Sequence, residues 1–116
     1  MYTIAFFLKN QSSLKSIILK EIPTNVSYII LDNEINFIDN YSAIINNEKI
    51  FFDYLIFENM NLPKNMLFEK ENKKAITNYF MQTNIENLFA IGEASNCEVS
   101  INEQLQRIFE YIINGD

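Results

Sequence analysis

The run Tyr2-Thr3-Ile4-Ala5-Phe6-Phe7-Leu8, the helix-like stretch opened by Ser12-Ser13-Leu14, and the run Val26-Ser27-Tyr28-Ile29-Ile30-Leu31 together decide the fold. The first and last are short, uncharged and rich in β-branched and aromatic residues. Such runs read as strands with apolar cover on both faces. Between them Ser12 and Ser13 offer a helix cap, and Leu14, Ile17, Ile18 and Ile22 recur at helical spacing. Pro23 stops that helix, because proline has no N–H to continue the ladder. The opening is therefore β-α-β. Its two strands are expected to be parallel, with a right-handed crossover.

The texture then changes. Residues 35–38, 43–45 and 50–52 are short apolar runs, separated by Asp39-Asn40 and by Asn46-Asn47. Asn and Asp tolerate left-handed backbone, so this segment reads as an antiparallel meander. Residues 54–57 are a further apolar strand, followed by a loop around Pro63 and a charged stretch, 69–74, expected to be a solvated loop. Residues 88–91 form the last strand. From Ser100 the positions Ile101, Leu105, Ile108, Phe109 and Ile112 mark an amphipathic helix, and Gly115 stands where a terminator belongs. The expected fold is one α/β domain over residues 1–116: a small mixed sheet with a β-α-β start, an antiparallel meander and a C-terminal amphipathic helix.

Composition removes several function classes. With 116 residues the chain is one domain by size, and its 48% hydrophobic content supplies a core. The net charge is −6 and Arg107 is the only arginine, so no basic footprint for nucleic acid or an anionic membrane surface is present. A single cysteine, Cys97, excludes an intrachain disulfide and a CxxC redox pair. There is no histidine, the usual general base and metal ligand. The apolar start has no basic flank, no small-residue cleavage site, and too little length to span a bilayer. It reads as a strand of a cytosolic protein rather than a signal peptide.

The segment Phe80-Met81-Gln82-Thr83-Asn84-Ile85-Glu86-Asn87-Leu88-Phe89-Ala90-Ile91-Gly92-Glu93 is the most specific chemistry-bearing stretch. It is a turn feeding a short buried strand that stops at Gly92, with a carboxylate behind it. It resembles the second flavin-binding motif of the thioredoxin reductase family, within the pyridine nucleotide-disulfide oxidoreductases. In that family a "Thr-Asn-x-x-x-hydrophobic-Phe-Ala-x-Gly-Asp" run ends a strand, and its Asp holds the FAD ribityl chain. The run from Asp53 to Pro63 is similar to the family's "Asp-x-hydrophobic-Phe-x-x-x-Gly-x-x-Pro", and residues 64–68 to the "Asn-Thr-x-Leu" that follows. The resemblance covers nearly the whole chain. It implies the second half of an NADPH domain followed by the return to an FAD domain. By this resemblance Gly92 and Glu93 are the cofactor-binding residues, with FAD as the cofactor.

The departures are as informative. No Gly-rich dinucleotide fingerprint is present, Met60 replaces a loop glycine, and Glu93 replaces the Asp. The family's arginine cluster falls on Leu8, Lys9 and Asn10, of which only Lys9 is basic. The helix that should lie beneath a flavin begins Ser100-Ile101-Asn102-Glu103-Gln104-Leu105, too bulky for close approach of a ring.

Each candidate residue has a functional and an ordinary reading. Gly92-Glu93 is a ribose- or ribityl-binding turn, or an inherited strand-to-helix turn with an exposed Glu. Asp53 is a buried carboxylate with a raised pKa, or a strand-opening residue bonded to backbone amides. Cys97 is a thiol activated near a helix N-terminus, or an ordinary half-buried cysteine. Glu93, Glu98 and Glu103 are a cation site or a solvated acidic rim. Phe6, Phe7, Phe51, Phe52, Phe57 and Phe89 are expected in the core. No nucleophile–base pair is recognisable, so catalysis by the chain alone is not expected. The function that follows is non-catalytic, with no retained cofactor. A homodimer or protein partner is expected to cover apolar surface on the last helix and the meander. The alternative is a flavin- or nucleotide-binding subunit of a split FAD-dependent oxidoreductase.

Overall fold

Ile4, Ala5, Phe6 and Phe7 are all buried, because the strand they belong to has a neighbour on each side and a layer on each face. That strand is β1 (Thr3–Phe7). The computed structural model describes residues 2–31 and 35–114. From β1 the chain passes through α1 (Leu14–Glu21) to β2 (Ser27–Leu31), which pairs with β1 in parallel, Thr3 opposite Ser27 and Phe7 opposite Leu31. The Ser12 side chain accepts the Leu14 N–H at the helix start, while Ser13, in the cap position, makes no such bond.

The meander is β3 (Asn36–Asp39), β4 (Ser42–Ile45) and β5 (Glu48–Phe51), all antiparallel. Asn46 and Asn47 both sit at positive φ, 52° and 66°, the backbone that a tight two-residue hairpin demands. After β5 the chain returns to the parallel sheet as β6 (Tyr54–Phe57), on the other side of β1 from β2. A small hairpin follows, β7 (Lys70–Glu71) with β8 (Lys74–Ala75). The charged stretch 69–74 is therefore not a plain loop. Asn72 and Lys73 turn it at φ 53° and 66°, and buried Ala75 anchors it. Then come β9 (Leu88–Ala90), a single 3₁₀ turn at Gly92–Ala94 and α2 (Ile101–Asn114). Gly115, expected to terminate α2, lies outside the described residues.

The parallel sheet runs β2-β1-β6-β9, and the meander is a separate three-stranded sheet. The meander is thus not part of the parallel sheet, which takes only an isolated antiparallel bridge, Gln82 opposite Phe89, on its β9 edge. Strand alternation sorts the core into two layers. Ile4, Phe6, Ile56, Phe89 and Ile91 face α1 and α2, where Ile18, Leu105, Ile108 and Ile112 meet them. Ala5, Phe7, Leu55, Phe57, Leu88 and Ala90 face the other way, onto Ala43 and Phe52 of the meander region and Met66 and Phe68 of the loop after β6. Each large side chain so buried contributes about 1.5–3 kcal/mol. A one-residue slip of β1 would exchange the two layers, so its register is tightly specified. The apolar face of α2 is accordingly consumed by the chain's own sheet. The β9 edge is also covered: Thr83 N–H donates to the Leu88 carbonyl and Ala90 N–H to that of Met81.

Among the expected core aromatics Phe51 is the exception. It is 65% exposed on the last meander strand, while Phe6, Phe7, Phe52, Phe57 and Phe89 are buried. Among the described residues no helix is long and apolar enough to cross a membrane.

Candidate functional site

In an open parallel sheet the chain leaves adjacent strands in opposite directions at one place, and the carboxyl ends of those strands form a natural crevice. Here that place lies between β1, which leads out to β2, and β6, which leads out to β9. The residues just past these strand ends are Leu8 and Lys9 after β1, Glu58 and Asn59 after β6, and Ile91, Gly92 and Glu93 after β9. Gly92 and Glu93 follow the end of β9, at the same end of the sheet as that crevice.

Gly92 holds φ at +59°, a left-handed value that costs a side-chain-bearing residue about 1–2 kcal/mol. A Cβ there would stand 3.3 Å from Leu14 Cδ1. The backbone N–H of Gly92 donates to Gln104 Oε1 at 2.9 Å. Gln104 is 3% exposed, and its amide nitrogen donates in turn to the Val99 carbonyl at 2.9 Å and to that of Cys97 at 3.4 Å. This one side chain ties the end of β9, the loop before α2 and α2 itself together. It lies inside the apolar stripe of α2, four residues before Ile108 and eight before Ile112. A polar residue at buried helical spacing was the available signal for its role.

The Glu93 carboxylate is paired with the Lys9 ammonium. The hydrogen bond from Lys9, then its positive charge, hold the Glu93 carboxyl below its ordinary value of 4.5. The same bond holds Lys9 above its ordinary 10.5. Lys9 also donates its backbone N–H to Glu58 Oε1 at 3.0 Å, and Glu58 is 8% exposed. Lys9 thus links all three strand ends. Beside it a cavity of about 240 Å³ opens between the ends of β1 and β2, with Lys9, Gln11, Ser12 and Lys15 in its wall.

The groups that would meet a dinucleotide are engaged within the chain. The Gly92 N–H is spent on Gln104, and the Glu93 carboxylate on Lys9. The turn after β1 carries side chains at every position from Leu8 to Ser13, with only Gln11 at positive φ. A pyrophosphate needs bare backbone N–H groups at such a turn. The arrangement does not fit a flavin dinucleotide without breaking these bonds.

The other candidates separate. Asp53 is exposed, and its Oδ2 accepts the Thr3 N–H at 2.8 Å, joining the starts of β6 and β1. This is the backbone-bonding role, at long range. Cys97 is half-buried, with its N–H donated to Ser95 Oγ. Glu103 pairs with Arg107 one turn along α2, at 3.1 Å. No group of three His, Cys, Asp or Glu side chains poised to hold a metal ion exists among the described residues, so Glu93, Glu98 and Glu103 do not converge.

No protein-family model matches the chain, and no curated protein matches it.

Proposed function

We propose that this chain is a non-catalytic, thioredoxin reductase-like protein that acts by binding protein, with a second copy of itself as the first partner. The observation that carries the reading is an apolar outer face on the meander. Ile44 pairs with Lys49 in register, and Phe51 lies two residues beyond Lys49 on that same face, its ring 4.9 Å from the Lys49 ammonium. Ile44 is 42% and Phe51 65% exposed, and Ile38, at the bulge in β3, is exposed beside them. The inner face of the same sheet packs Phe37 and Ala43 on the core. A small sheet with apolar residues on both faces has one face more than its own chain covers. The closed hydrogen bonding around Gly92 and Glu93 supports the absence of inherited flavin chemistry.

Sedimentation at micromolar to submillimolar concentration is the test. A dimer is expected, converted to monomer by the double substitution Ile44→Lys, Phe51→Lys. A monomer throughout the range would remove self-association from the proposal.

The second reading is a nucleotide- or flavin-binding subunit completed by another chain. It is favoured by the meeting of Lys9, Glu58, Gly92 and Glu93 at the crevice of the parallel sheet. A visible flavin band that survives desalting after FAD addition would establish it. A flat spectrum, alone and with a partner carrying a Gly-rich strand-turn-helix, would end it.

A further inference from the structure

The opposite end of the parallel sheet carries a second concavity, built from five separate parts of the chain. Tyr2 precedes β1, and Tyr41 comes from the turn between β3 and β4. Asp53 and Tyr54 open β6, Glu86 and Asn87 lead into β9, and Tyr111 projects from α2. Together they line a cavity of about 270 Å³. Its wall contains four phenol rings, two carboxylates and one amide, and no lysine or arginine. From these contacts we infer that the cavity is a binding site for a small alkylated ammonium ion.

The chemistry selects a cation. Aromatic faces carry negative quadrupole potential, and a cation set against them gains about 0.5–1 kcal/mol at an exposed site and more when desolvated. Two carboxylates at the same mouth add attraction and repel anions. Among the described residues no three His, Cys, Asp or Glu side chains group to hold a metal ion, and the phenol rings offer nothing to a strongly hydrated one. A weakly hydrated ammonium bearing methyl groups suits both rings and carboxylates, and a cavity of this volume holds a trimethylammonium head.

The wall is braced before any ligand arrives. Tyr2 and Tyr54 stack edge to face with centroids 5.4 Å apart, Tyr54 rests 6.0 Å from Phe89, and Phe89 rests 5.6 Å from Tyr111. Asn87 is 3% exposed, and its amide nitrogen donates to the Asn40 carbonyl at 2.6 Å. Asp53 is held by the Thr3 N–H. Little ordering is left for the ligand to impose, which favours binding. This site is distant from Gly92 and Glu93 in the sheet and does not depend on the proposed protein-binding role.

Choline is the probe, with 3,3-dimethylbutan-1-ol as its uncharged isostere, each followed by ligand-observed NMR and by tyrosine fluorescence. The chain has no tryptophan and six tyrosines, four of them in this wall, so the intrinsic signal reports on the site. Choline is expected to bind saturably, and the isostere at least about tenfold more weakly. Tyr41→Leu and Glu86→Gln, both at exposed positions, are each expected to weaken choline about threefold, whereas Tyr41→Phe keeps the ring and the affinity. Equal binding of the isostere overturns the inference. So does failure of choline to saturate by about 10 mM, or affinity unchanged in the Tyr41→Leu, Glu86→Gln double variant.

Discussion

Gly92 is the residue on which the candidate site turns. Its φ of +59° and the 3.3 Å approach of Leu14 both act against any side chain. Gly92→Ala is expected to destabilise the protein by about 1–2 kcal/mol in urea unfolding, mostly through the left-handed backbone, because Leu14 can shift its side-chain end. The Lys9–Glu93 pair makes a prediction in pH. Glu93 is lowered, so its contribution is present above 4.5 and is lost as pH falls through its folded value. Lys9 is raised, so its contribution is complete below 10.5 and is lost as pH rises through its folded value. The pair therefore acts across the neutral range, and salt screens it because both ends are exposed. Carboxyl NMR is expected to find Glu93 titrating below 4.5 in the parent chain and back near 4.5 in Lys9→Met; an unmoved titration would break the assignment of cause. The place of Gly92 and Glu93 was legible, because an apolar run this short, opened by a turn and closed by glycine, reads as a strand end. Their partners were not. Lys9 and Gln104 come from distant stretches, and nothing local announces whose carboxylate or N–H they meet.

At the scale of elements, apolar runs gave themselves away and charged ones did not. β1, β6 and β9 are short uncharged stretches because both faces of the parallel sheet are covered there, whereas β2, equally uncharged, lies at the sheet edge and leaves Ser27 and Tyr28 exposed. The amphipathic stripe of α2 was equally plain. The hairpin of β7 and β8 lacks alternation: Lys70, Glu71 and Lys74 are exposed, and only Ala75 is buried. Its one clue was Asn72, since Lys73 is a poor resident of left-handed backbone. Lys73→Gly is expected to raise stability by about 0.5–1 kcal/mol, the steric relief exceeding the added entropy of the unfolded chain. Thermal unfolding checks this, and a lower midpoint would mean that the Lys73 side chain has a structural role. That the meander forms a sheet of its own was beyond local reading, since patterns mark strands and not their hydrogen-bonding neighbours.

Across the whole molecule, one four-stranded sheet serves both core layers. Neither layer can dissolve and leave the other intact, because each strand of the shared sheet places alternate residues in each. Ile108, fully buried on the sheet-facing side of α2, makes the point. Ile108→Ala is expected to cost about 2–5 kcal/mol and to shift a single unfolding transition that tyrosine fluorescence and far-ultraviolet circular dichroism report at the same midpoint. Separate midpoints would show that the meander layer persists on its own. This is also why Phe51 escaped the sequence reading. It is as apolar as its buried neighbours, and only the assembled layers reveal that its side chain stands 65% exposed while that of Phe52 beside it is buried.

The strand order also bears on how the chain is made on the ribosome. β1 is synthesised before its partners yet ends up in the middle, bonded to β6 from far downstream, with Ile4 opposite Tyr54. β9 and α2, which complete one edge and one cover, emerge after the other strands of that sheet. No pair in the parallel sheet is a hairpin of neighbours, so the pairing depends on slow closure of long stretches of chain. Until α2 leaves the exit tunnel, Ile4, Phe6 and Ile56 lack the helix that shields them, and over that interval the nascent chain presents adhesive apolar surface.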